Sequence, residues 1–122
     1  MIFQHTLERV LDGTKTQTSR IWKDSYEAWY GLYHTTMQAV VSLDTERTVY
    51  EVGKTYAVQP ARGKHGVARI RITALEKRSV HTFTDEDYAR ERLAPQTFKG
   101  LWAEMHGWND MALVIRFELV QP

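Results

Sequence analysis

Apolar and polar positions alternate along much of the chain, and changes in their period mark out its elements. Leu7, Val10 and Leu11 recur at helical spacing, with Thr6 placed to cap the helix and Gly13 to stop it. Tyr50 and Val52, a Gly53-Lys54 turn and Tyr56-Ala57-Val58 read as a turn leading into a strand. From Val67 to Leu75 the period is two: Ile70, Ile72 and Ala74 share one face, and Arg69, Arg71 and Thr73 the other. Thr84 followed by Asp87 resembles a capping box with aspartate in place of glutamate, opening a helix that reaches about Leu93. A further helix, Thr97 to His106, puts Phe98, Leu101, Trp102 and Met105 on its buried side and ends at Gly107. Met111 to Val120 closes the pattern as a strand, with Leu113, Ile115, Phe117 and Leu119 opposed to Val114, Arg116 and Glu118. Strands outnumber helices, which predicts an α+β fold.

Between these elements lies an aromatic segment, Trp22 to about Leu43. Tyr26, Trp29, Tyr30 and Tyr33 are spaced i, i+3, i+4, i+7, and Asp24 with Glu27 fits a cap, so the spacing predicts a helix. Its rings would pack as core, or else form a lid beside Arg20 that stacks on a nucleobase.

Gly13-Thr14-Lys15-Thr16-Gln17-Thr18-Ser19-Arg20 gathers a lysine, hydroxyls and an arginine behind a short helix. In an extended strand Thr16, Thr18 and Arg20 share a face, and Lys15 meets Thr18 only by bending back from the Gly13-Thr14 turn. Amide hydrolysis needs a nucleophile, a base and a positive or hydrogen-bonding group for the oxyanion, and Thr18, Lys15 and Arg20 are of the right types. A lysine acts as a base near neutral pH only if burial or a nearby cation lowers its pKa. In the plainer alternative Lys15 and Arg20 are solvated charges, Thr16 and Thr18 are strand formers, and Glu91 pairs with Arg90 or Lys99 on a helix surface.

Composition adds limits. At 122 residues and 43% apolar content the chain reads as one domain, residues 1–122, able to bury its own core. A formal charge of +1 gives no global field demanding nucleic acid. The absence of cysteine excludes a thiol nucleophile and a disulfide scaffold. His5, His34, His65, His81 and His106 are dispersed, so neither a metal nor another cofactor is expected. No apolar run is long enough for a membrane span, and Met1-Ile2-Phe3-Gln4 lacks the features of a signal peptide, so a soluble cytoplasmic protein is expected. Arg62, Lys64, His65, Arg69, Arg71, Lys77 and Arg78 would form a basic strip suited to phosphates, or a solvated face. Oligomeric state is not written in the pattern.

The spacing Gly13, Lys15, Thr18, Arg20 resembles the signature of ASCH domains in the PUA-like superfamily, and threonine at the sixth motif position is similar to the small bacterial N4-acetylcytidine amidohydrolases. The resemblance covers roughly residues 5 to 20 and 49 to 119, and the aromatic segment at about 22–43 is an insertion against the compact members. It implies a small PUA-like β-barrel flanked by helices. It also implies removal of the acyl group from N4-acylcytidine or related acylated pyrimidine nucleosides by a catalytic set of Lys15, Thr18 and Glu91, where Glu86 and Asp87 are the alternatives to Glu91. Arg20, Trp22 and Thr16 would then bind the substrate, a small-molecule nucleoside. Other ASCH functions give the alternatives: a noncatalytic RNA-binding or regulatory domain, or an RNA-cleaving one.

Overall fold

The short apolar stripe after Thr6 forms helix α1 (Leu7–Leu11), and the turn that ends it rests on Gly13, whose φ of +80° is costly for a residue with a Cβ. In this computed structural model, which describes residues 1–3, 5–31 and 35–121, the chain continues as β1 (Gln17–Ile21), β2 (Tyr26–Trp29), β3 (Ala39–Ser42), β4 (Arg47–Glu51), β5 (Thr55–Val58) and β6 (Ala68–Ser79). A single 3-10 turn, Val80–Thr82, leads to helices α2 (Asp85–Glu91) and α3 (Pro95–His106), and β7 (Met111–Gln121) closes the chain. All ladders are antiparallel and build two sheets, one ordered β1-β7-β6-β5 and one ordered β2-β3-β4. This is an α+β architecture, as the periodicity predicts.

The long β6 keeps its predicted alternation only as far as Ile72. A register shift between Ile72 and Ala74 resets it, so Leu75 rather than Ala74 is buried. Trp22, Met37, Val40, Ile72, Leu75, Leu113 and Ile115 fill the space between the two sheets. Phe98 and Trp102 of α3 cover Ala112 and Val114 on the opposite face of β7. Because β7 is covered on both faces, residues 112–115 are buried without alternation. The Thr84–Asp87 capping box forms, with the Thr84 N–H donating to Asp87 Oδ2 at 2.8 Å. Helix α2 ends at Glu91, before the expected Leu93, because Arg92 adopts left-handed backbone with φ +58°.

Two expectations are corrected. Among its described residues the aromatic segment is not helical: residues 26–29 are strand β2, paired Ala28 to Val40 and Trp29 to Ala39. The apolar ladder offered by β3 outcompetes a helix argued only from ring spacing and an Asp24–Glu27 cap, and Glu27 and Trp29 point out while Tyr26 and Ala28 pack inward. Tyr33 and His34 lie outside the described residues. In α3, Phe98 and Trp102 are buried but Met105 is 62% exposed, because it extends past the part of the helix that covers β7.

Candidate active site

The loop after α1 is pinned at both sides. Asp12 Oδ1 accepts from the Thr14 N–H at 2.9 Å and from its hydroxyl at 2.6 Å, and the Lys15 N–H donates to the Arg9 carbonyl at 2.8 Å. The Thr16 N–H donates to the Arg90 carbonyl at 2.9 Å, which ties the loop to the end of α2. With the loop pinned in this way the Lys15 side chain is directed inward, and only 3% of it is exposed. Its ammonium donates to the Glu91 carbonyl oxygen at 2.7 Å, one of the helix-terminal carbonyls with no partner inside the helix, and stands 3.5 Å from Glu91 Oε1.

Glu91 is 2% exposed and takes further bonds on its second oxygen. Ser19 Oγ donates to Oε2 at 2.6 Å, and Gln17 Nε2 donates to it at 3.2 Å. Burial raises the Glu91 carboxyl above its ordinary value, against the opposing pull of Lys15, Ser19 and Gln17. Burial likewise lowers Lys15 to about 8; Glu91 opposes this, while Arg20 and Arg9 add to it.

Lys15, Thr18, Arg20 and Glu91 all line one cavity of about 310 Å³. Antiparallel pairing shows how it is built. Thr18 and Arg20 stand opposite Ile115 and Leu113, on the face of β1 toward the second sheet, whereas Ser19 stands opposite Val114 on the face toward the helices. Since β1 is an edge strand, the cavity wraps around that edge, with Tyr26 and Tyr50 on one side and Phe98, Leu101 and Trp102 on the other. Thr18, 6% exposed, lines the cavity, and its hydroxyl makes no hydrogen bond to another described residue. Arg20 donates to the Ile2 carbonyl at 2.6 Å and lies over the Phe3 ring.

Two of the residues expected to bind substrate lie elsewhere. Trp22 packs in the core against Tyr26 and carries Lys77 on its ring, and Thr16 precedes the strand and is held by its backbone between Arg90 and Phe117; neither lines the cavity. Of the alternatives to Glu91, Glu86 is on the exposed side of α2, paired with Arg90, and Asp87 is buried behind the cavity. Gln17 and Ser19 were not anticipated; the available signal was that Lys15, Gln17 and Ser19 are spaced two apart and share a face. The basic strip is largely engaged within the protein: Arg71 pairs with Glu118, Arg78 with Asp87, and Arg69 bonds Thr55. No helix among the described residues is long and apolar enough to cross a membrane.

Together the antiparallel sheets, the flanking helices and the lysine loop define a small α+β domain with its cavity at one sheet edge. An ASCH domain from Lactobacillus crispatus JV V101 superposes with a TM-score of 0.59 at 20% identity, over 95% of this chain and 70% of that one. A DUF984 protein from Enterococcus faecalis V583 superposes at 0.56 and 20% identity, over 97% and 71% of the two chains. No family model and no curated protein sequence matches the chain. The likeness is one of fold: this chain has the ASCH-domain fold.

Proposed function

We propose that the cavity hydrolyses the amide of N4-acylcytidine or related acylated pyrimidine nucleosides, with Lys15, Thr18 and Glu91 as the reacting set. The observation that carries this reading is a buried lysine, lowered to about 8 and in contact with a buried glutamate, in the same cavity as a threonine hydroxyl free of hydrogen bonds among the described residues. With such a value about one-tenth of Lys15 is neutral at pH 7 and half at pH 8, enough for a general base.

In the forward step Thr18 Oγ bonds to the acyl carbon while Lys15 Nζ takes the hydroxyl proton. The bond from the acyl carbon to the exocyclic nitrogen then breaks, and the proton passes from Lys15 to that nitrogen, releasing cytidine and leaving an acyl ester on Thr18. Delocalisation of the amine's electrons into the pyrimidine ring makes it a better leaving group than an alkyl amine. Water then attacks the ester with Lys15 again taking a proton and Glu91 holding the resulting ammonium; the bond from the acyl carbon to Thr18 Oγ breaks as Lys15 returns that proton to Oγ, releasing the carboxylic acid and restoring both Thr18 and Lys15. The Arg20 guanidinium supplies positive charge for the oxyanion.

The test is ultraviolet-monitored conversion of N4-acetylcytidine and longer acyl homologues to cytidine by the purified protein. Conversion supports the reading; no conversion of any of them, with salt-dependent binding of RNA instead, replaces it by the RNA-binding one.

A further inference from the structure

Behind Glu91 lies a polar chain that the reaction itself does not use. Gln17 is fully buried, and its amide joins two carboxylates: Nε2 donates to Glu91 Oε2 at 3.2 Å and to Asp87 Oδ1 at 3.4 Å, while Oε1 accepts from Arg116 Nε at 3.2 Å. The arginine, which can only donate, settles which end of the amide faces which partner. Asp87, itself 1% exposed, is clamped by Arg78 through bonds of 3.1 and 2.9 Å and by the Thr84 N–H.

We propose that Ser19 and Gln17 are positioning residues that hold Glu91 as a carboxylate through Oε2, so that Oε1 alone is turned to the Lys15 ammonium, with Asp87 and Arg78 as the fixed anchor of Gln17. The division of labour is visible in the bonds. Oε2 receives both neutral donors, Ser19 and Gln17, while Lys15 approaches Oε1. A carboxylate held in this way cannot rotate to share its charge between partners, and its stable charge in turn keeps Lys15 from being lowered further. Without Ser19 the carboxylate is held less well, Lys15 loses part of its ionic partner, and its ammonium gives up its proton at lower pH.

The other charged or titratable groups around the pair are Arg9 of α1, Arg20 of β1, Tyr26 and Tyr50 of the second sheet, and His106 of α3. His5 and Lys23 line the cavity as well, and none of these touches Glu91 Oε2.

The proposal rests on the amidohydrolase reading for its consequence in turnover, but its geometry is testable without turnover. Lysine-labelled protein followed by NMR gives the titration midpoint of Lys15 directly. In Ser19→Ala that midpoint moves down by half a unit or more, in Ser19→Thr it stays at the native value because the hydroxyl is kept, and Gln17→Leu moves it in the same direction as Ser19→Ala. On N4-acetylcytidine, kcat/KM of Ser19→Ala falls about tenfold, and the rising limb of its pH profile moves down with the NMR midpoint.

A midpoint and a pH limb unmoved in folded Ser19→Ala overturn the proposal. Should Gln17→Leu fail to fold, Ser19→Ala alone decides, since Ser19 is only half-buried. A shifted midpoint in a protein that hydrolyses no acylated pyrimidine supports the positioning role and removes the amidohydrolase reading; turnover with an unmoved midpoint does the reverse.

Discussion

Lys15 and Glu91 meet twice, once through the Glu91 backbone carbonyl at 2.7 Å and once through its carboxylate at 3.5 Å. The backbone contact fixes where the ammonium sits, and the carboxylate sets how readily it gives up a proton. Both groups are almost wholly buried, so each is the other's main compensation for lost hydration.

Removing one partner therefore strands the other. Lys15→Met and Glu91→Gln are each expected to cost about 3 to 5 kcal/mol of stability near neutral pH, as for other broken buried pairs. The double variant should lose at least about 1 kcal/mol less than the sum of the two. Denaturant unfolding of the four proteins measures this, and strict additivity contradicts the coupling.

The lowered Lys15 makes a prediction about alkaline stability. Its value is about 8 in the fold against an ordinary 10.5, so between those pH values the unfolded chain binds the extra proton. Stability attributable to this group is then smallest below pH 8 and rises with pH toward 10.5. Compared with Lys15→Met, the native protein should gain up to about 3 kcal/mol across that window in urea titrations. A constant difference rejects the shift.

Asp87 works in the opposite direction and at the acid end. Burial opposes its charge, but Arg78, the Thr84 N–H and Gln17 prevail and hold its carboxyl well below the ordinary 3.8. Its contribution is complete above that ordinary value and is lost as pH falls further. Thermal melts below about pH 4 should therefore show a steep loss in the native protein and a shallower one in Asp87→Asn, which lacks the group that titrates.

The end of α2 offers a check on the backbone. Arg92 has φ +58°, a conformation that costs a residue with a Cβ about 1 kcal/mol or more, while its side chain is exposed. Arg92→Gly is expected to stabilise the protein by about 0.5 kcal/mol after the added freedom of the unfolded chain is deducted. The backbone carbonyl that accepts from Arg9 is retained in this variant. Destabilisation by a similar amount contradicts the assignment.

Much of this architecture was legible where the signal is local. The capping box at Thr84, the glycine after α1 and the two-residue period of β6 as far as Ile72 each depend on neighbours in the chain, and each recurs in the fold. What was not legible depends on distant partners. The four rings from Tyr26 onward fit a helical period, but the choice was made by β3, and nothing within the segment reveals that ladder. The odd spacing of Lys15 to Thr18 leads to a lysine bent back over the strand toward Thr18, whereas its ammonium is held by Glu91. The two-residue spacing puts Ser19 on the face of Lys15, but its partner lies 72 residues away on a helix, which the spacing does not reveal. Trp22 looked available beside Arg20, yet the second sheet closes over it.

The most direct measurement is the hydrolysis of N4-acetylcytidine by the native protein beside Thr18→Ala and Lys15→Ala, each first shown to be folded by circular dichroism. The account predicts conversion to cytidine by the native protein, a rate that rises with pH through about 8 as Lys15 loses its proton, and loss of at least about a hundredfold in both variants. Turnover that survives in folded Thr18→Ala and Lys15→Ala, or its absence in the native protein, contradicts it.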